Sequence, residues 1–71
     1  RFNEPVLRRL DAALRATGQG AAADAMTARY LAQNPASLVA MRLLAASWRR
    51  AGRDAEARAM ARALAARGQV I

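Results

Sequence analysis

The feature that most restricts how this chain folds is its self-similarity at a spacing of 34 residues. Sliding the sequence by that distance superposes Gly18 on Gly52, Met26 on Met60, Leu10 on Leu44, Arg8 on Arg42 and Arg15 on Arg49. Ala23 also falls on Ala57, but in a chain with 21 alanines such matches carry little weight. A period of this size belongs to a supersecondary unit that cannot bury its apolar face alone and stacks on its neighbour. The many alanines, set against 4 Gly and 2 Pro, make the unit helical, because Ala loses almost no side-chain entropy in a helix. The sequence therefore predicts an all-α fold of two tandem antiparallel helical hairpins, residues 1–34 and 35–71. Together they form one domain or part of a longer repeat array.

The helix ends are marked along the chain. Asn3 is a candidate N-cap with Pro5 in the first turn, and Val6, Leu7, Leu10 and Leu14 recur on one face of a first helix over residues 4–16. Gly18 suits a left-handed C-terminal cap, and the second helix carries Ala22, Ala23, Met26 and Tyr30 to about Gln33. Asn34 is expected to cap the third helix and Pro35 to begin it, with Leu38, Met41, Leu44, Ala45 and Trp48 on one stripe before Gly52. Asp54 and Glu56 open the fourth helix at its positive end, while Arg62 and Arg67 lie toward its negative end, near Gly68. Leu10, Leu14, Leu44 and Trp48 are the expected core.

These residues resemble the tetratricopeptide repeat family over nearly the whole chain. In that pattern a large apolar residue is followed at three by Leu, then at once by a small residue, then three further on by an aromatic. The second copy reads Met41, Leu44, Ala45, Trp48, then Gly52 and Ala57 where two helices cross closely. The first reads Leu7, Leu10, Asp11, Leu14, then Gly18, Ala23 and the closing Pro35, with Asp11 departing from the small-residue slot. Thr27 and Ala61 stand where the family has a bulky aromatic, Tyr30 where it has a small residue, and Gln69 where it has the closing Pro. The resemblance implies a bacterial solenoid module for protein binding whose first helices line a concave groove for extended peptides. Ala12 and Ala46 occupy the places of the Asn residues with which family members grip a chaperone C-terminus, so that mode is not expected.

Catalysis has little to draw on. The chain has no His and no Cys, and its five carboxylates, Glu4, Asp11, Asp24, Asp54 and Glu56, sit mostly in first helical turns or four residues before an Arg. No enzyme activity, metal or cofactor is expected. Gly18-Gln19-Gly20 lacks the preceding strand and the Lys-Ser/Thr ending of a phosphate loop. Without Cys there is also no disulfide or zinc staple and no indication of compartment. A lone core below roughly 70 to 80 residues supplies only about 3 to 5 kcal/mol, so adjacent repeats or a second copy are expected to cover the end faces. The start at Arg1 without Met points to an excised or processed chain.

The basic residues carry the functional signal. All 12 are Arg, consistent with GC-rich coding, and the formal charge is +7. At ~100° per residue Arg8 and Arg15 lie within about 20° of each other, to one side of the leucine stripe, and Arg42 and Arg49 repeat that geometry. Glu4 and Asp11 precede Arg8 and Arg15 by four and can pair with them, whereas Leu38 and Ala45 hold those places in the second copy. Arg8, Arg15, Arg42, Arg49 and Arg50 are the candidate partner-binding residues, and an acidic protein or peptide is the expected partner. Nucleic-acid binding through the basic face is the alternative. Against it, the arginines are spread over all four helices and no recognition helix stands out. Membrane association is not expected either, since no apolar run nears the ~20 residues of a span and no aromatic wedge marks the second or fourth helix.

Overall fold

The computed structural model describes residues 2–68, all of whose regular structure is helical. The four helices are α1 (Glu4–Ala16), α2 (Gly20–Gln33), α3 (Leu38–Arg50) and α4 (Asp54–Ala66). The expectation placed on Gln69 lies outside the described residues.

Chain chemistry sets most of the boundaries. The Asn3 side chain accepts the Val6 N–H at 3.2 Å, with a proline in the turn that follows. At the end of α1, Gly18 takes φ +77° and lets the Gln19 N–H reach back to the Leu14 carbonyl at 2.7 Å. The second hairpin repeats this closure, with Gly52 at φ +77° and the Arg53 N–H bonded to the Trp48 carbonyl at 2.8 Å. Glycine suits both places because a Cβ disfavours left-handed backbone.

The start of α3 differs from expectation. Asn34 does not cap it, because its own N–H and side-chain amide are used on the Tyr30 carbonyl to close α2. Ser37 caps α3 instead, accepting the Ala40 N–H at 3.2 Å while donating to Glu4 at 2.7 Å. Glu4 is therefore engaged across the hairpin junction, and no ion pair joins it to Arg8.

The helices pair as two hairpins, α1 with α2 and α3 with α4, and α3 also packs on both helices of the first hairpin. Leu7, Leu44 and Leu64 are fully buried among Ala23, Ala40, Ala45, Ala57 and Met41, each leucine contributing roughly 1.5 to 3 kcal/mol. Leu31, Leu38, Met60 and Ala63 flank the Met41, Ala45 and Leu64 cluster. Leu14 and Trp48 are half-buried rather than enclosed, and Arg53 lies 5.7 Å from the Trp48 ring centroid. Tyr30 is also half-buried and meets the Phe2 ring at 5.7 Å.

Leu10 departs furthest from expectation: it is 43% exposed, whereas its repeat equivalent Leu44 is 2% exposed. The cause is position in the stack. Leu44 belongs to the stripe of α3 that meets the first hairpin, whereas the corresponding stripe of α1 has no described element against it.

Candidate functional site

The expected basic face divides into three environments. Arg15 is enclosed in a polar knot. Its Nε donates to Asp11 Oδ1 at 2.7 Å, and its Nη2 donates to Asp11 Oδ2 at 3.0 Å and to Asp24 Oδ1 at 2.7 Å. Its Nη1 donates to the Ser47 hydroxyl at 3.0 Å, and that hydroxyl donates to Asp24 Oδ2 at 3.0 Å. Thr27, fully buried, donates to Asp11 Oδ2 at 2.8 Å. The Asp11 hydrogen bonds foremost, with Asp24 adding to them, push the Arg15 pKa above its ordinary value against the opposing effect of burial.

This knot explains how Asp11 can replace a small core residue. A carboxylate that is 2% exposed is tolerated only when its lone pairs are occupied and its charge is matched. Two side chains supply those conditions, Arg15 from α1 and Thr27 from α2, and Arg15 is held in turn by Asp24 and by Ser47 of α3. No buried side-chain nitrogen or oxygen among the described residues lacks a partner.

Arg8, Arg42 and Arg50 form the second environment. They line a groove of about 290 Å³ between α1 and α3, together with the mutually paired Asp11 and Arg15. Its apolar floor comes from Ala12, Val39, Leu43 and Ala46. All three arginines are exposed, and none makes an ion pair among the described residues. The floor residues were absent from the sequence-level candidates, yet Val39, Leu43, Ala46 and Arg50 advance along α3 in the three-to-four steps of one helix face. That periodicity could have identified them beside Arg42.

Arg49 occupies the third environment and does not join the groove. It lines a depression against α4, with Asp54, Ala57, Arg58 and Ala61. The seven-residue spacing placed Arg42 and Arg49 on one helix face, but α3 is flanked by a different helix on each side, so close angles can still lead to different surfaces.

The groove can bind anions and extended chain: it offers three separated guanidinium groups over small apolar side chains. No group of three or more His, Cys, Asp or Glu side chains among the described residues is placed to hold a metal. No described helix is long and apolar enough to cross a membrane. No protein-family model matches the chain, and neither the curated proteins nor the solved structures contain a significant match.

Proposed function

We propose that the chain is a non-catalytic protein-interaction module of tetratricopeptide-repeat type, in which the α1–α3 groove holds an acidic, extended segment of a protein partner. The observation carrying this reading is the set Arg8, Arg42 and Arg50, exposed along one groove without a carboxylate partner among the described residues. The 34-residue period, the two matching glycine closures and the stacking of α3 on the first hairpin support the repeat assignment. The all-Arg basic set is consistent with GC-rich coding.

The test is binding of an acidic peptide library to the chain and to the double variant Arg42→Ala, Arg50→Ala, at two salt concentrations. A well-made charged hydrogen bond contributes roughly 1.5 to 3 kcal/mol, and solvent exposure brings each of these toward or below the lower figure. The double variant is expected to lose about tenfold in affinity and much of the salt dependence, while Arg49→Ala, outside the groove, changes little. Unchanged affinity in a folded double variant refutes the groove reading. Duplex DNA in the same assay addresses the alternative, and tighter, steeply salt-dependent binding to it would give the face to nucleic acid.

A further inference from the structure

The two hairpins are copies of one unit, so the way α3 seats on the first hairpin is a template for what seats on the second. Ser47 of α3 enters a cradle formed by Arg15 and Asp24, while Thr27, one turn before which α2 carries the fully buried Ala23, holds the Asp11 carboxylate that also binds Arg15. Advancing these positions by 34 gives Arg49, Arg58, Ala61 and Ala57. All four line one depression on the open side of α3 and α4, about 130 Å³ in volume. The second hairpin therefore carries the same cradle, with no described element in it.

Its charge is different. In the first cradle Asp11 and Asp24 balance Arg15, so the incoming side chain is a neutral hydroxyl. In the second, Ala45 replaces Asp11 and Arg58 replaces Asp24, leaving two guanidinium groups. Asp54 also lines the depression but makes no ion pair with either arginine. A side chain arriving at the place of Ser47 meets uncompensated positive charge, which a carboxylate would neutralise through charge-assisted hydrogen bonds.

We propose that this face of α3 and α4 docks an amphipathic helix of a partner protein, with an Asp or Glu opposite Arg49 and Arg58. A second copy of this chain suits the cradle poorly. Its α1 repeats the docking stripe of α3 as Asn3, Val6, Leu10 and Ala13, and so delivers Ala13, without charge, to the two arginines. The proposal does not depend on the α1–α3 groove, which lies on another surface and uses Arg8, Arg42 and Arg50.

The experiment titrates the chain with labelled helical peptides copying residues 37–50 and carrying Ser47, Ser47→Glu or Ser47→Lys, read by fluorescence anisotropy. The Ser47→Glu peptide is expected to bind about tenfold more tightly than the Ser47 peptide, and the Ser47→Lys peptide least. Arg49→Ala with Arg58→Ala in the chain should abolish this preference, while Arg42→Ala with Arg50→Ala should leave it intact. Equal binding of the three peptides overturns the proposal, as does a preference that survives loss of Arg49 and Arg58, or no binding to a chain shown folded by circular dichroism. A dimer of the chain alone, dissociated by Leu10→Asp in sedimentation, would assign the face to a second copy and overturn it equally.

Discussion

Replacing Arg15 by Met is a direct test of the polar knot. Met has similar helix propensity and length, so the change removes charge and donors with little backbone effect. Asp11 would then remain 2% exposed with the Thr27 hydroxyl as its one remaining side-chain partner. Breaking a buried pair from one side costs about 3 to 5 kcal/mol, and because the Arg15 side chain is 20% exposed the lower end applies. A chain of this size holds only about 3 to 5 kcal/mol in total, so Arg15→Met should keep no more than about 2 kcal/mol. The double change Asp11→Ala, Thr27→Ala is the informative contrast, since it installs what the second hairpin already has at Ala45 and Ala61. It removes charge and hydroxyl together and leaves Arg15 on Asp24 and Ser47, at a cost of about 1 to 2 kcal/mol. Urea unfolding followed by far-ultraviolet circular dichroism separates the two. With a slope near 1 kcal/mol per molar, the midpoint should fall by about 3 M for Arg15→Met and about 1 to 2 M for the double variant. An Arg15→Met loss below about 1 kcal/mol at unchanged slope, or no larger than that of the double variant, would refute the reasoning.

Other substitutions probe separate features. Leu44→Ala should destabilise by about 2 to 5 kcal/mol, whereas Leu10→Ala should stay within about 0.5 kcal/mol, and thermal melts of the two variants check this contrast between repeat-equivalent leucines. Gly52→Ala should cost about 1 to 2 kcal/mol because φ is +77°, despite open space around a new Cβ. Gly20→Ala, whose Cβ would meet Arg15 at an ordinary 3.9 Å, should instead stabilise by about 0.4 to 1 kcal/mol in the same denaturation assay. The Arg53 hydrogen bond, with a smaller backbone contribution, lowers the Glu56 pKa. The pair's contribution is therefore complete above the ordinary Glu value of 4.5 and disappears as pH falls through the lowered one. In Arg53→Met, an NMR titration should find Glu56 moved back up toward 4.5.

Helix count, the glycine closures and the Asn3 cap were legible in the sequence because they depend on local chemistry: propensity, left-handed backbone and a side chain reaching three residues ahead. What was not legible depended on neighbours in space. Repeat symmetry equated Leu10 with Leu44, but the burial of Leu44 comes from the hairpin junction, which α1 does not share on its other side. The Asp11–Arg15 pair could be read from its four-residue spacing. Its closure by Asp24, Thr27 and Ser47 could not, because those partners are 9 to 32 residues distant from the groups they bind. Asn34 and Ser37 are both good caps, and what separates them is that Asn34 closes α2 on the Tyr30 carbonyl while Ser37 also bonds Glu4 across the junction. In the candidate site, Arg8, Arg42 and Arg50 came together, whereas Arg49 separated because the position of α4 is a tertiary fact.

The bond between Ser47 and the Arg15–Asp24 pair also bears on which of several stacked arrangements the chain adopts. Much of the apolar side chain buried in this core is alanine, Ala23, Ala40 and Ala45, which does little to fix how far α3 sits along the first hairpin, where one helical turn of slip is about 5.4 Å. Leu44, buried at that junction, would have to leave its site in such a slip, and the polar contacts add to that penalty. Displaced by a turn, Ser47 leaves Asp24 and Arg15 without their shared hydroxyl, and Ser37 likewise leaves Glu4. Two hydroxyls ten residues apart, one capping α3 and one within it, therefore act as locating pins on either side of Leu44, widening the gap between one packing and its neighbours.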